Sequence, residues 1–169
     1  MARRPAKKSA NKAPKKTAKK KVAAKRKVTR TVAKKAAAPR VARLSRTEIA
    51  APDIPLHPQP FPTACKVGNI VFSSAVSGDD PVTHEMPSDP AQQIRNAFRT
   101  VRRILEEAGG SLDNIGSMKV YVKDREVRPL INQIWQEVFT NEKSRPVRHM
   151  VPFDLPPGRV CQLEFIAVI

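Results

Sequence analysis

The sequence predicts an α+β fold: a mixed sheet in the order β-β-α-β-α-β-β, with two helices packed on one face. Three patterns carry that expectation. Apolar residues recur on one side of a helical period from Ile94 to Ala108, alternation with a period of two runs through 115–122 and 159–169, and Gly68-Asn69 precedes a short β-branched run.

In chain order, Thr63–Val67 and Ile70–Ser74 flank Gly68-Asn69 and form a hairpin pattern. Residues 77–87 are polar, with Gly78-Asp79-Asp80-Pro81, and have the composition of a loop. Ser88-Asp89-Pro90 then opens a helix, with Asp89 placed to cap the free amides and Pro90 at the first helical position. Ile94, Ala97, Phe98, Val101, Ile104, Leu105 and Ala108 make its apolar stripe, and Gly109-Gly110 ends it. In the next strand Met118, Val120 and Val122 alternate against Ser117, Lys119 and Tyr121. Pro129 starts a second helix whose apolar face holds Ile131, Ile134, Trp135, Val138 and Phe139. Two strands follow, near Val147–Val151 and over Arg159–Ile169, joined by the Leu155-Pro156-Pro157-Gly158 bend. In the last strand Cys161, Leu163, Phe165 and Ala167 face the helices, while Val160, Gln162, Glu164 and Ile166 face away. A sheet face of that mixed polarity suits a subunit contact or a cleft wall.

Charge divides the chain. Of 169 residues, 32 are Lys or Arg and 15 are Asp or Glu, a net +17, yet residues 1–50 hold 19 of the bases and only one acid, Glu48. The expected organisation is a disordered basic arm (1–50), a proline-rich extended linker (51–62) and a folded domain (63–169). With no aromatic residue before Phe61, the arm cannot bury enough surface to offset its ordering entropy. Residues 1–46 carry dense positive charge without an acid, the footprint of sequence-blind DNA or RNA binding through counterion release. An organelle presequence and a solubilising tail are the alternatives; the Lys- and Pro-rich composition favours a cytoplasmic, nucleoid-associated setting over an organelle. No apolar run reaches the length of a membrane span. Two cysteines, Cys65 and Cys161, suggest a reducing compartment, and His57, His84 and His149 lack metal-ligand spacing, so no metal site is expected.

Several segments together resemble the Rid family (RidA/YjgF, endoribonuclease L-PSP type). They are Gly68-Asn69 with its strand, Glu107-Ala108-Gly109-Gly110, Lys119-Val120-Tyr121-Val122-Lys123-Asp124, Asn132, Phe139, Arg145-Pro146-Val147-Arg148, Leu155-Pro156 and Leu163-Glu164-Phe165-Ile166-Ala167-Val168. The resemblance implies a chorismate-mutase-like fold and a homotrimer with clefts between subunits. It also implies hydrolysis of reactive enamines and imines to 2-oxo acids and ammonia, with no metal or organic cofactor. Arg148 falls where the family grips the substrate carboxylate, a role suited to a guanidinium with two parallel donors. A surface ion pair is the plain alternative for Arg148, and Arg145 fits that role better. Asn132 matches a family asparagine beside the cleft. Ser74-Ala75-Val76 stands where many members have Ser-Gly-Gln, so Ala75 and Val76 offer main-chain donors but no side-chain amide. Phe61 replaces a tyrosine and Met150 a cysteine. Gln162 stands at the glutamate that positions or deprotonates the attacking water; its carbonyl can orient water but cannot take a proton. Glu164, on the same strand face, is the candidate substitute, with pairing to a basic residue of a neighbouring subunit as its alternative.

Two classes of function follow. One is an enamine/imine deaminase acting on a small carboxylate-bearing substrate through Arg148, Gln162 and Glu164, with Asn132, Ala75, Val76 and Phe61 contacting it and the arm tethering it to nucleic acid. The other is a non-catalytic, small-ligand-binding trimer acting as a DNA- or RNA-associated module.

Overall fold

The computed structural model describes residues 44–57 and 59–169. The basic arm, with its expected disorder and nucleic-acid binding, falls almost wholly outside the described residues. The described part contains strands β1 (Arg46–Ile49), β2 (Ala64–Val67), β3 (Ile70–Ser73), β4 (Val76–Ser77), β5 (Ile115–Val122), β6 (Val147–Pro152) and β7 (Cys161–Val168). Its helices are α1 (Pro90–Glu107) and α2 (Arg128–Val138). One sheet runs β1-β2-β3-β7-β5-β6, with β4 also paired to β7. Only β5 and β6 pair in parallel, with α2 as their crossover. This is the α+β mixed sheet with two helices that the periodicities predict.

Two strands lie where the sequence suggests none. Residues 46–49, assigned to the arm, pair with β2 from Arg46↔Val67 to Ile49↔Ala64. Ile49 and Ile54 are 6% and 4% exposed, so the stretch through the first linker prolines packs onto the core and is no free spacer. Thr63 Oγ1 donates to the Pro55 carbonyl at 2.6 Å and pins the segment's far end. The second addition is β4, which sets Val76 opposite Leu163 and Ser77 opposite Gln162. A two-residue strand has no room to display alternation, so the polar loop pattern hides it.

Local signals elsewhere act as expected. Gly68 takes φ +63° in the two-residue loop between β2 and β3. Asp89 caps α1 by accepting from the Ala91 and Gln92 amides at 3.1 and 3.3 Å. Gly109 leaves the helix at φ +88°. The stripe of α1 packs with Ile131, Ile134 and Trp135 of α2 and with Met118, Val120, Leu163 and Phe165 of the sheet into one core. Arg145 is tied to the Phe139 carbonyl at 2.9 Å, a structural role.

Gln93, 2% exposed, is one of three buried polar residues on α1, with Asn96 and Thr100. Its Nε2 donates to the Pro87 and Gly158 carbonyls, both at 2.7 Å, and its Oε1 accepts from the Val160 amide at 2.9 Å. One side chain thus ties the helix start to the loop before it and to the approach of β7. Gln93→Leu keeps the volume but strands three main-chain groups, so stability falls by about 2–4 kcal/mol. Urea unfolding checks this, and a loss below about 0.5 kcal/mol would contradict it.

Candidate functional site

The residues singled out in the sequence fall into two groups on different faces of the sheet. The first borders a cleft of about 320 Å³ beside β4, which includes Ala75, Val76, Ser77, Asp79, Arg159 and Gln162. Val76 is 2% exposed and sits across from Leu163, so its side chain belongs to the core and only its main chain is available as a contact. Ser77 and Gln162 are cross-strand partners, which puts their side chains on the same face. Ser77 Oγ donates to Asp79 Oδ2, and Arg159 Nη2 lies 3.7 Å from Asp79 Oδ1. Thr100, behind the cleft, has a buried hydroxyl oxygen without a hydrogen-bond partner among the described residues. Phe61 is exposed and borders an adjoining groove, with its ring 4.0 Å from that of His57, a residue shared by both hollows.

The second group forms around β6. The register Met118↔Arg148 turns Arg148 to the helix side of the sheet, away from Gln162 and Glu164. There its Nη2 donates to Asn132 Oδ1 of α2 at 2.5 Å, and its guanidinium carbon stands 4.7 Å above the Trp135 ring. Arg148 and Asn132, both singled out in the sequence, are thus hydrogen-bonded neighbours. Nη1 is buried and has no hydrogen-bond partner among the described residues, and no salt bridge to Arg148 occurs among them. Burial, followed by the charge of Arg128, lowers the Arg148 pKa, although guanidinium remains cationic at neutral pH. The stacked indole face supplies partial compensation for the charge.

Glu164 shares the outward face with Gln162, as strand alternation predicts, but it is already engaged. Lys119 Nζ and Tyr121 Oη donate to its two oxygens at 2.8 and 2.5 Å. Burial raises its pKa, but the bonds from Lys119 and Tyr121 and the Lys119 charge outweigh that and hold it below the ordinary range. A carboxylate so stabilised is a poor proton acceptor, and the structure thus corrects the expectation of a free base here. The pairing partner is Lys119 of the same chain. Cys161 is buried in the core and its thiol is pushed up to about 12. Among the described residues no group of His, Cys, Asp and Glu is arranged to hold a metal ion.

The sequence reading missed Ser77, Asp79 and Arg159. Asp79 and Arg159 flank the segments that hold Ala75 and Gln162, and a charge pair of opposite sign bracketing them was the available signal.

Comparison with known proteins gives a consistent picture. The profile described as Endoribonuclease L-PSP matches residues 53–169. A 2-iminobutanoate/2-iminopropanoate deaminase of Escherichia coli K12 is 31% identical over 127 residues, covering 74% of this chain and 98% of that protein. A 3-aminoacrylate deaminase RutC of Acinetobacter baylyi is 34% identical over 112 residues, covering 64% and 86%. The crystal structure of RidA from the Antarctic bacterium Psychrobacter sp. superposes with a TM-score of 0.68 at 29% identity, covering 73% of this chain and 99% of that one.

The Glu164 cluster has a pH signature. A carboxyl whose pKa is lower folded than unfolded stabilises the fold above its unfolded value, near 4.5, and loses that contribution as pH falls through the folded value. With its side chain about 30% exposed, the cluster contributes up to about 1 kcal/mol. Glu164→Gln therefore lowers stability at neutral pH and flattens the acid limb of a stability–pH curve. An unaltered acid limb in that variant would contradict the assignment.

Proposed function

Because the chain belongs to the endoribonuclease L-PSP (Rid) family, we propose that it is an enamine/imine deaminase that hydrolyses small 2-imino acids to 2-oxo acids and ammonia. The observation that carries the reading is the Arg148 guanidinium, held by Asn132 and Trp135 with Nη1 buried and unpartnered. A cation in that condition costs free energy until an anion completes it, and a carboxylate does so through paired hydrogen bonds. Within one chain the Arg148 side chain and the Gln162 cleft lie on opposite faces of the sheet. The proposal therefore includes a homotrimer in which Arg148 and Asn132 of one subunit face Ala75 and Gln162 of the next.

In this scheme the substrate carboxylate docks on Arg148, and Gln162 orients a water toward the imine carbon. The protonated imine is already electrophilic, so the reaction needs neither a metal nor an organic cofactor. The experiment is ammonia release from 2-iminobutanoate generated in situ. Turnover above the spontaneous rate is expected, and Arg148→Ala lowers kcat/KM by about a hundredfold while the protein stays folded, as unfolding by urea checks. A parent protein that releases ammonia no faster than buffer would reject the reading.

One observation favours a second reading. Gln162 cannot accept a proton, and Glu164 on the same face is committed to Lys119 and Tyr121. On that reading the assembly binds small ligands without turnover and is held on DNA or RNA by residues 1–43, which carry 18 Lys and Arg and no acid. A tether of that charge gives duplex affinity that falls by a hundredfold or more between about 50 and 200 mM salt. A chain of residues 44–169, which keeps β1, loses the affinity. Equal binding by the shortened chain, or a shallow salt slope, would remove the arm from this role.

A further inference from the structure

Gln162 can hold a water but cannot take its proton, and the carboxylate two residues on is occupied. Resting on the deaminase reading, we propose that Ser77 and Asp79 supply the missing proton acceptor, with the Ser77 hydroxyl meeting the attacking water and Asp79 behind it receiving the proton. Three placements carry this. Ser77 is the direct cross-strand partner of Gln162, so the two side chains leave the sheet on one face, with Cβ atoms about 4.5–5.5 Å apart. That spacing lets a single water touch both. Ser77 Oγ already donates to Asp79 Oδ2, the direction a relay toward the carboxylate requires. All three residues border the same cleft, and Asp79 is 19% exposed there, accessible but shielded from bulk screening.

The surrounding charges agree with the assignment. Arg159 Nη2 stands 3.7 Å from Asp79 Oδ1, close enough for an ion pair and beyond hydrogen-bond distance. Asp80, the next residue, is turned to the Val82 and Thr83 amides at 2.8 and 3.0 Å. His57 also borders the cleft, but its Nδ1 accepts from the Gln59 amide at 3.1 Å. From α1, behind the cleft, Thr100 and Gln93 bring no charge.

The step balances. As the water oxygen bonds to the iminium carbon, the C=N π pair moves onto nitrogen. The water gives one proton to Ser77, which passes its own to Asp79. Asp79 then returns a proton to nitrogen by the same route, the C–N bond breaks, and the remaining hydroxyl proton leaves with ammonia as ammonium. The 2-oxo acid and the Asp79 carboxylate remain.

Full-length protein turning over 2-iminobutanoate made in situ tests the relay. Asp79→Asn lowers kcat about a hundredfold, with KM changed by less than about twofold, and Ser77→Ala does likewise. Adding Gln162→Glu to Asp79→Asn places a carboxylate directly across from Ser77 and restores kcat by about tenfold or more. A merely structural role for Asp79 would instead lower the unfolding midpoint and leave no rescue at position 162. Wild-type kcat in Asp79→Asn, a loss that Gln162→Glu does not repair, or a dominant loss in His57→Asn would each overturn the relay while leaving the deaminase reading intact. Absence of turnover in the wild type would overturn both.

Discussion

The close approach of Gly78 to the first turn of α1 sets the position of the whole cleft. A Cβ at residue 78 would lie 2.1 Å from the Gln93 carbonyl oxygen, a distance no side chain can occupy. Glycine is therefore required there by proximity, not by an unusual backbone angle. The same turn of helix carries the Gln93 amide, which holds Gly158 and Val160 on the other side. Asn96, fully buried one turn on, donates to the Gly78 carbonyl at 3.3 Å. Helix α1 thus clamps β4 from one side and the approach of β7 from the other. Ser77, Asp79, Arg159 and Gln162 owe their mutual placement to that clamp.

The β6 side is built on a different compromise. Partly burying a cation against Trp135 with one amide partner leaves its desolvation only partly compensated. Replacing Arg148 with an apolar residue of similar size would by the same reasoning stabilise the chain. The Lys119–Glu164–Tyr121 cluster is the opposite case: complementary, saturated and with little capacity for chemistry.

Much of this was legible in the residues. The two helices and β5 follow their periods because apolar packing enforces them, and Asp89 and Gly109 act through local hydrogen bonding and backbone freedom. Strand β1 was not legible, since Arg46-Thr47-Glu48-Ile49 buries one side chain and otherwise looks like the arm. Each site residue could be assigned to a face of its own strand. Whether Arg148 and Gln162 share a face could not, because that depends on the registers Met118↔Arg148 and Val120↔Leu163 across an intervening strand. The engagement of Glu164 was hidden for the same reason, since Lys119 becomes its neighbour only through sheet pairing. Gln93 was masked by its polarity, although it continues the buried side of a helix whose next residue, Ile94, is fully buried.

The back-to-back arrangement of Arg148 and Gln162 has a consequence for regulation. On the function proposed above, a carboxylate grip on one surface and a water-holding amide on its reverse make no complete catalyst in a solitary polypeptide. On the assembly proposed above, output is then set by how crowded the copies are as well as by how many exist, and dilution alone becomes an off-switch. A neighbour able to hold copies close together would raise activity without touching a single reacting group.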